Sequence, residues 1–215
     1  EVPLGVSEGI DAYVLSGDTW ENTTKGIKAK ANFANYDLSV SYVDQGSKGF
    51  QVGFDSAGEL FGLGVRKEIA LVSPRSASRY FKTVLGANYT FENGWLVDME
   101  YFFNGAGEKD KDNYDWTNYL AGNIKQLGMD YFYFGASKPL DEITNLKFSL
   151  LMNADDYSHI FYPAYSRNIY QNVDLSLEAM LTGGESGSEY HPTDQRDPSG
   201  LIGSRIFFVR IKYSF

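Results

Sequence analysis

The chain has 215 residues, no Cys, a net charge of −9, and 16 Tyr, 15 Phe and 3 Trp, with 22 Gly. That length suffices for one domain with a core or for one closed barrel, and the acidic balance excludes a phosphate-tracking nucleic-acid surface. Aromatics reach 16% while mean hydropathy is only −0.33, and no apolar run of about 18 residues exists to form a membrane-spanning helix.

In chain order, Gly9 to Leu15 forms a first strand, with Ile10, Ala12 and Val14 opposite Asp11 and Tyr13. A polar loop from Ser16 to Thr24 leads to Lys25–Phe33, where Ile27, Ala29, Ala31 and Phe33 alternate with Lys28, Lys30 and Asn32. Such a period of two is the signature of a two-faced strand. A turn at Ala34 to Asp37 precedes Leu38, Val40 and Tyr42, which alternate with Ser39 and Ser41. After Asp44 to Lys48 come Phe50, Val52 and Phe54 against Gln51 and Gly53. The spacing predicts a turn at Asp55 to Glu59, then a strand with Phe61, Leu63 and Val65 opposite Gly62, Gly64 and Arg66.

Ser73 to Arg79, with Pro74, is a loop. Phe81, Thr83, Leu85, Ala87, Tyr89 and Phe91 follow on one face, opposite Lys82, Gly86, Asn88 and Thr90. Asn93-Gly94 is a strong hairpin signal. Beyond it Val97, Met99, Tyr101 and Phe103 oppose Asp98, Glu100 and Asn104, and two mid-strand carboxylates resist burial in a dry core. Gly105 to Asn118 is a long charged loop, followed by a short helix before Gly128.

Met129 to Ser137, containing Asp130, is aromatic on both faces. A turn at Pro139 to Asn145 leads to Leu146, Phe148, Leu150 and Met152, which alternate with Lys147, Ser149 and Asn153. Ala154 to Tyr157 is a loop, and Ser158 to Ile169 carries Pro163, where an edge-like irregularity or a bulge is expected. After Tyr170 to Asn172, the apolar Val173, Leu175, Leu177, Ala179 and Leu181 oppose Asp174, Ser176 and Glu178. Gly183 to Gly200 is a polar loop, and Leu201 to Phe215 closes the chain. In this last strand Phe207, Val209, Ile211, Tyr213 and Phe215 share one face, while Phe208, Arg210, Lys212 and Ser214 share the other.

The sum is an all-β chain of about 12 strands in which long and short connections alternate, apart from a mild break around 139–157. The terminal Phe, the aromatic two residues before it and the apolar alternation behind them resemble the C-terminal assembly signal of Gram-negative outer-membrane β-barrels. The segments YFYFGASKPLDEITNLKFSLLMN and NIYQNVDLSLEAML are similar to hairpins of porin-type barrels. This resemblance implies a transmembrane antiparallel up-and-down β-barrel in the bacterial outer membrane, with short periplasmic turns and longer extracellular loops. Its partners would be outer-membrane lipid, lipopolysaccharide and the barrel-assembly machinery, with a small polar solute or a threaded partner protein in the lumen. The expectation is a single β-barrel domain over 1–215; the opening EVPLGVSEG reads like mid-chain sequence and fits the C-terminal part of a larger barrel.

If the apolar face meets lipid, the lumen is lined by Lys28, Lys30, Arg66, Lys82, Asp98, Glu100, Asp130, Lys147, Asp174, Glu178, Arg210 and Lys212. Phe207, Val209, Ile211, Tyr213 and Phe215 form the assembly signal. The mixed charges fit either pairs that brace the barrel or a field that orients a solute, hence a passive channel or a non-conducting scaffold. The acidic loop residues, among them Asp110, Asp155, Asp156, Glu185 and Glu189, read as a solvated face, with divalent-cation binding as the functional alternative. Trp20, Trp95 and Trp116 read as interface girdles. A rim lipid hydrolase would need His159 beside Ser158, but strand neighbours point to opposite faces. No catalytic residue, cofactor or metal motif is therefore assigned.

Overall fold

The structure, a computed structural model, describes residues 2–3, 8–193 and 205–214. Its strands are β1 (Val2–Pro3), β2 (Gly9–Leu15), β3 (Thr24–Phe33), β4 (Tyr36–Asp44), β5 (Gly49–Leu60), β6 (Leu63–Pro74) and β7 (Tyr80–Thr90). They continue as β8 (Leu96–Asn104), β9 (Asp130–Asp141), β10 (Thr144–Asn153), β11 (His159–Tyr170), β12 (Val173–Gly183) and β13 (Arg205–Tyr213), with one short α-helix, α1 (Trp116–Leu120). The strands follow chain order in one antiparallel up-and-down sheet. Setting aside the two-residue β1, the described residues hold 12 long strands, in keeping with the about 12 that the periodicity predicts. β1 and β13 stand at the two ends of that order, so closure of the sheet on itself is not among the ladders of the described residues. No helix among them is long and apolar enough to cross a membrane.

The hairpin turns explain the register. Ala34 and Asn35 have φ of 52° and 65°, and Phe61 and Gly62 have φ of 52° and 78°. Two consecutive positive φ values make the type I′ turn, whose twist matches that of the strands it joins. The turn expected at Asp55 to Glu59 therefore lies at 61–62, and β5 runs on through it. Asp55, Ser56 and Gly58 look like turn residues in sequence but are ladder positions opposite Glu68, Lys67 and Val65. The turn expected over Pro139 to Asn145 likewise contracts to 142–143, with Pro139 paired to Asn145 inside the ladder. With that correction the mild break disappears. Connections 34–35, 61–62, 91–95, 142–143 and 171–172 alternate with 16–23, 45–48, 75–79, 105–129, 154–158 and 184–204, and every two-residue turn falls in the first set.

Of the two forms expected at Pro163, the structure shows the edge-like irregularity and not the bulge. β11 keeps one register with β12 on both sides of it, Phe161 opposite Leu181 and Ala164 opposite Glu178, while Tyr162 and Pro163 pair only with Ser149 and Phe148 of β10. A residue without N–H leaves a gap in one ladder without displacing the strand.

The chain divides into two compact units, Glu1–Ala87 with Phe102–Ala106, and Asn88–Tyr101 with Gly107–Phe215. In the first unit, directly opposed residues form rows that share a face. Ile10, Ala29, Val40, Phe54 and Ile69 make one row, and Ala12, Ile27, Tyr42, Val52 and Leu71 the next. The other face carries the rows Asp11–Lys28–Ser41–Gly53–Ala70 and Gly9–Lys30–Ser39–Asp55–Glu68. In the second unit Phe134, Leu150, Phe161 and Leu181 form an apolar row, backed by Gly135, Ser149 and Tyr162.

Among the described residues, the apolar face is left exposed. Phe33 is 74% exposed, Phe207 73% and Val209 72%. The buried aromatic cluster instead sits in the loops of the second unit, where Tyr114, Trp116 and Leu127 pack with Tyr119 and Ile124. Trp116 is thus a core residue of a loop cap rather than an interface girdle. Trp20, by contrast, is exposed with the Lys25 ammonium 3.9 Å above its ring, and Trp95 stacks on Phe148.

Candidate functional site

Two regions concentrate polar chemistry. The first is the charged face of the first unit. Lys28 Nζ lies 2.7 Å from Asp55 Oδ2, Lys30 pairs with Asp11, and Ser39 donates to Asp55. Arg66 is two positions from Glu68 on the same face and crosses over Gly86. A pocket of about 390 Å3 opens among Lys28, Lys30, Asp37, Asp55, Arg66 and Glu68, and another of about 200 Å3 holds Lys82 with Asp55 and Glu68. Lys28, Lys30, Arg66 and Lys82 are therefore brought together, each within reach of carboxylates.

The remaining residues expected on the polar face are placed as follows. Asp98 and Glu100 alternate with the exposed Met99 on β8. Lys147, Ala164, Glu178 and Phe208 make one row of the second unit, and Ser166, Ser176 and Arg210 the next. Glu178 accepts from Tyr162 and lies 3.9 Å from Arg210, while Asp174 faces Lys212 and accepts from Asn168 at 3.0 Å. Asp130 departs from the pattern. It alternates with Tyr131 and so shares the face of Phe132 and Phe134, where it accepts a 2.5 Å hydrogen bond from Tyr101. Phe207, Val209, Ile211 and Tyr213 all share the exposed face of β13, opposite Ala179, Leu177, Leu175 and Val173; Phe215 lies outside the described residues.

The second region is the cap formed by segments 105–129, 154–158 and 184–191. Its centre is Glu189, 1% exposed. One carboxylate oxygen accepts from the Leu127 amide at 3.1 Å, and the other accepts from the Tyr131 hydroxyl at 2.6 Å and the Asn153 amide at 2.7 Å. The Glu189 amide in turn donates to Asp156 Oδ2 at 2.8 Å, and the Tyr190 amide to Ser158 Oγ at 3.2 Å. Asn153, 0% exposed, also donates to Tyr114 and accepts from the Asp155 amide. Residues distant in sequence are thereby tied through side-chain bonds to one carboxylate, as buried polar groups require.

Burial raises the Glu189 carboxyl above the ordinary range, and the Asp156 charge adds to this; the bonds from Tyr131, Leu127 and Asn153 oppose it. Burial, followed by the charge of Glu189, pushes Tyr119 up to about 12 and also raises Tyr190. Glu189 and Asp156 are thus structural anchors, not the solvated acids their loop composition suggests. No residue in the sequence marks this, because the partners of the Glu189 carboxylate lie 36 to 62 positions away.

Around the cap, Lys109, Asp110, Lys111, Asp155, Asp156, Tyr157, Gly184 and Glu185 line a cleft of about 710 Å3. Lys111 pairs with Glu185 at 2.7 Å, which raises the lysine and lowers the carboxyl. Among the described residues no group of three or more acids or histidines is arranged to hold a metal ion. Ser158 is fully buried and donates to Asp156 at 2.6 Å, while His159 packs over Gly183 on the opposite strand face. Comparison of the chain with protein families, with curated proteins and with solved structures finds no match.

Proposed function

We propose that this chain forms a porin-like β-barrel of the Gram-negative outer membrane, acting as a passive channel for ions or small polar solutes. The carrying observation is the two-faced sheet. One face presents uncovered rows such as Ile27–Tyr42–Val52–Leu71, and the other presents Lys28, Lys30, Asp11 and Asp55. An apolar face of this extent needs an apolar cover, and lipid supplies one along every strand. Closing the sheet would turn the charged face inward to line a water-filled lumen, with the two-residue turns at the periplasmic end. On this reading the exposed row Phe207, Val209, Ile211 and Tyr213 serves the assembly machinery, and the long loops meet lipopolysaccharide.

A non-conducting scaffold is the second reading, favoured by the ion pairs Lys28–Asp55, Lys30–Asp11 and Arg210–Glu178, which brace the charged face. A rim hydrolase built on Ser158 and His159 gains no support, because the hydroxyl is buried and bonded to Asp156. Single-channel recording in a planar bilayer under a salt gradient separates the first two. Stable open steps support the channel; silence from folded, inserted protein overturns it in favour of the scaffold.

A further inference from the structure

We propose that the cleft on the loop cap binds a neutral saccharide, with Tyr157 as the platform for the sugar ring. This assignment is independent of whether the sheet conducts.

The cleft, at about 710 Å3, falls within the about 300–1,000 Å3 usual for small-molecule sites. Tyr157 is 73% exposed on its wall and has a φ of 58°, a left-handed conformation that is an outlier for a bulky side chain. The loop ends are pinned on both sides. The Asn153 amide donates to the Ser158 carbonyl at 2.9 Å, Asn153 Oδ1 accepts from the Asp155 amide at 2.9 Å, and Asp156 Oδ1 accepts from the Ser158 amide at 2.8 Å. The buried Glu189 network behind them supplies the rigid support that a preorganised site requires. The Tyr157 ring is therefore presented at the cleft by a loop with fixed ends.

The polar wall selects against anions. Lys111 and Glu185 neutralise each other. Asp155 Oδ2 takes both the Met129 and Asp130 amides, at 2.6 and 2.9 Å, which leaves Oδ1 as an acceptor for a ligand hydroxyl. Lys109 adds donors on the same cleft. An anion would meet Asp110, Asp155 and Asp156, which outnumber Lys109 once Lys111 is paired with Glu185. A polyhydroxyl ligand can donate to carboxylate and accept from ammonium at once, while the C–H face of a pyranose lies against the tyrosine ring.

The test uses the purified full chain in detergent on an array that carries free neutral oligosaccharides and the uncharged outer-core hexose oligosaccharides of lipopolysaccharide, followed by calorimetric titration with the best-retained saccharide. Retention of a free oligosaccharide points to a solute, and retention of only the core sugars points to neighbouring lipopolysaccharide; both support the site. Tyr157→Asn, which tolerates a left-handed φ, should weaken Kd about tenfold or more with thermal unfolding unchanged. Lys109→Ala should weaken it less, and 0.5 M salt should leave it within about twofold. The proposal is overturned if no saccharide is retained, if Tyr157→Asn binds as well as the parent, or if only charged saccharides bind and salt abolishes the binding.

Discussion

Replacing Glu189 with Gln isolates the role of the buried carboxylate. Glu189 accepts three hydrogen bonds on two oxygens, one from Leu127 and two from Tyr131 and Asn153. A glutamine keeps one oxygen. Its better orientation retains the Tyr131 and Asn153 bonds and turns the amide nitrogen toward the Leu127 N–H, so that two donors face each other in a buried site. One lost bond with a stranded donor costs about 1–3 kcal/mol, or about 5- to 150-fold in the opening equilibrium of the cap. Against this stands the removal of a charge that burial disfavours. Because the folded carboxyl is raised, the closed cap retains its proton at a pH where the open cap has lost it. The parent's stability is therefore fully present below the ordinary carboxylate value and declines as pH rises through the raised one. The glutamine variant has no such decline. Amide hydrogen exchange of peptides covering 105–129, corrected for intrinsic rates and measured across pH, should show faster exchange in Glu189→Gln at acid pH. The difference should narrow as pH rises. Equal protection at acid pH, or a difference that widens with pH, would refute the anchoring role.

Other perturbations separate the cap from the sheet. Asn153→Ala removes three hydrogen bonds at a fully buried position and should destabilise the cap by about 3 kcal/mol, seen as lost near-ultraviolet circular dichroism from the Tyr114–Trp116 cluster. Gly46→Ala places a Cβ 2.0 Å from the Glu21 carbonyl oxygen at a φ of 65°. The strained backbone alone costs about 1–3 kcal/mol, and limited proteolysis at 16–23 and 45–48 should accelerate. Lys28→Gln breaks a partly exposed pair and should change stability by less than about 1 kcal/mol. In bilayers the same variant should move the reversal potential toward cation preference, and an unchanged potential would count against a conducting charged face.

The strand alternation was legible in the sequence because residues two apart share a face whatever the partner strand is. Ile27, Ala29, Val40, Phe54, Lys28 and Lys30 fall on the faces their spacing predicts, and the number of long strands follows. The mixed-aromatic strand β9 was not legible in this way. Only its pairing with Met152 and Leu150 assigns Phe132 and Phe134, and with them Asp130, to the apolar face. Turn positions also needed the ladder, since Asp55, Ser56 and Pro139 carry turn chemistry yet occupy paired positions. The cap lay furthest from view. Glu189, Asp156 and Asn153 have the composition of a solvated loop, and their burial arises from hydrogen bonds between segments dozens of residues apart, a long-range closure that no local period encodes.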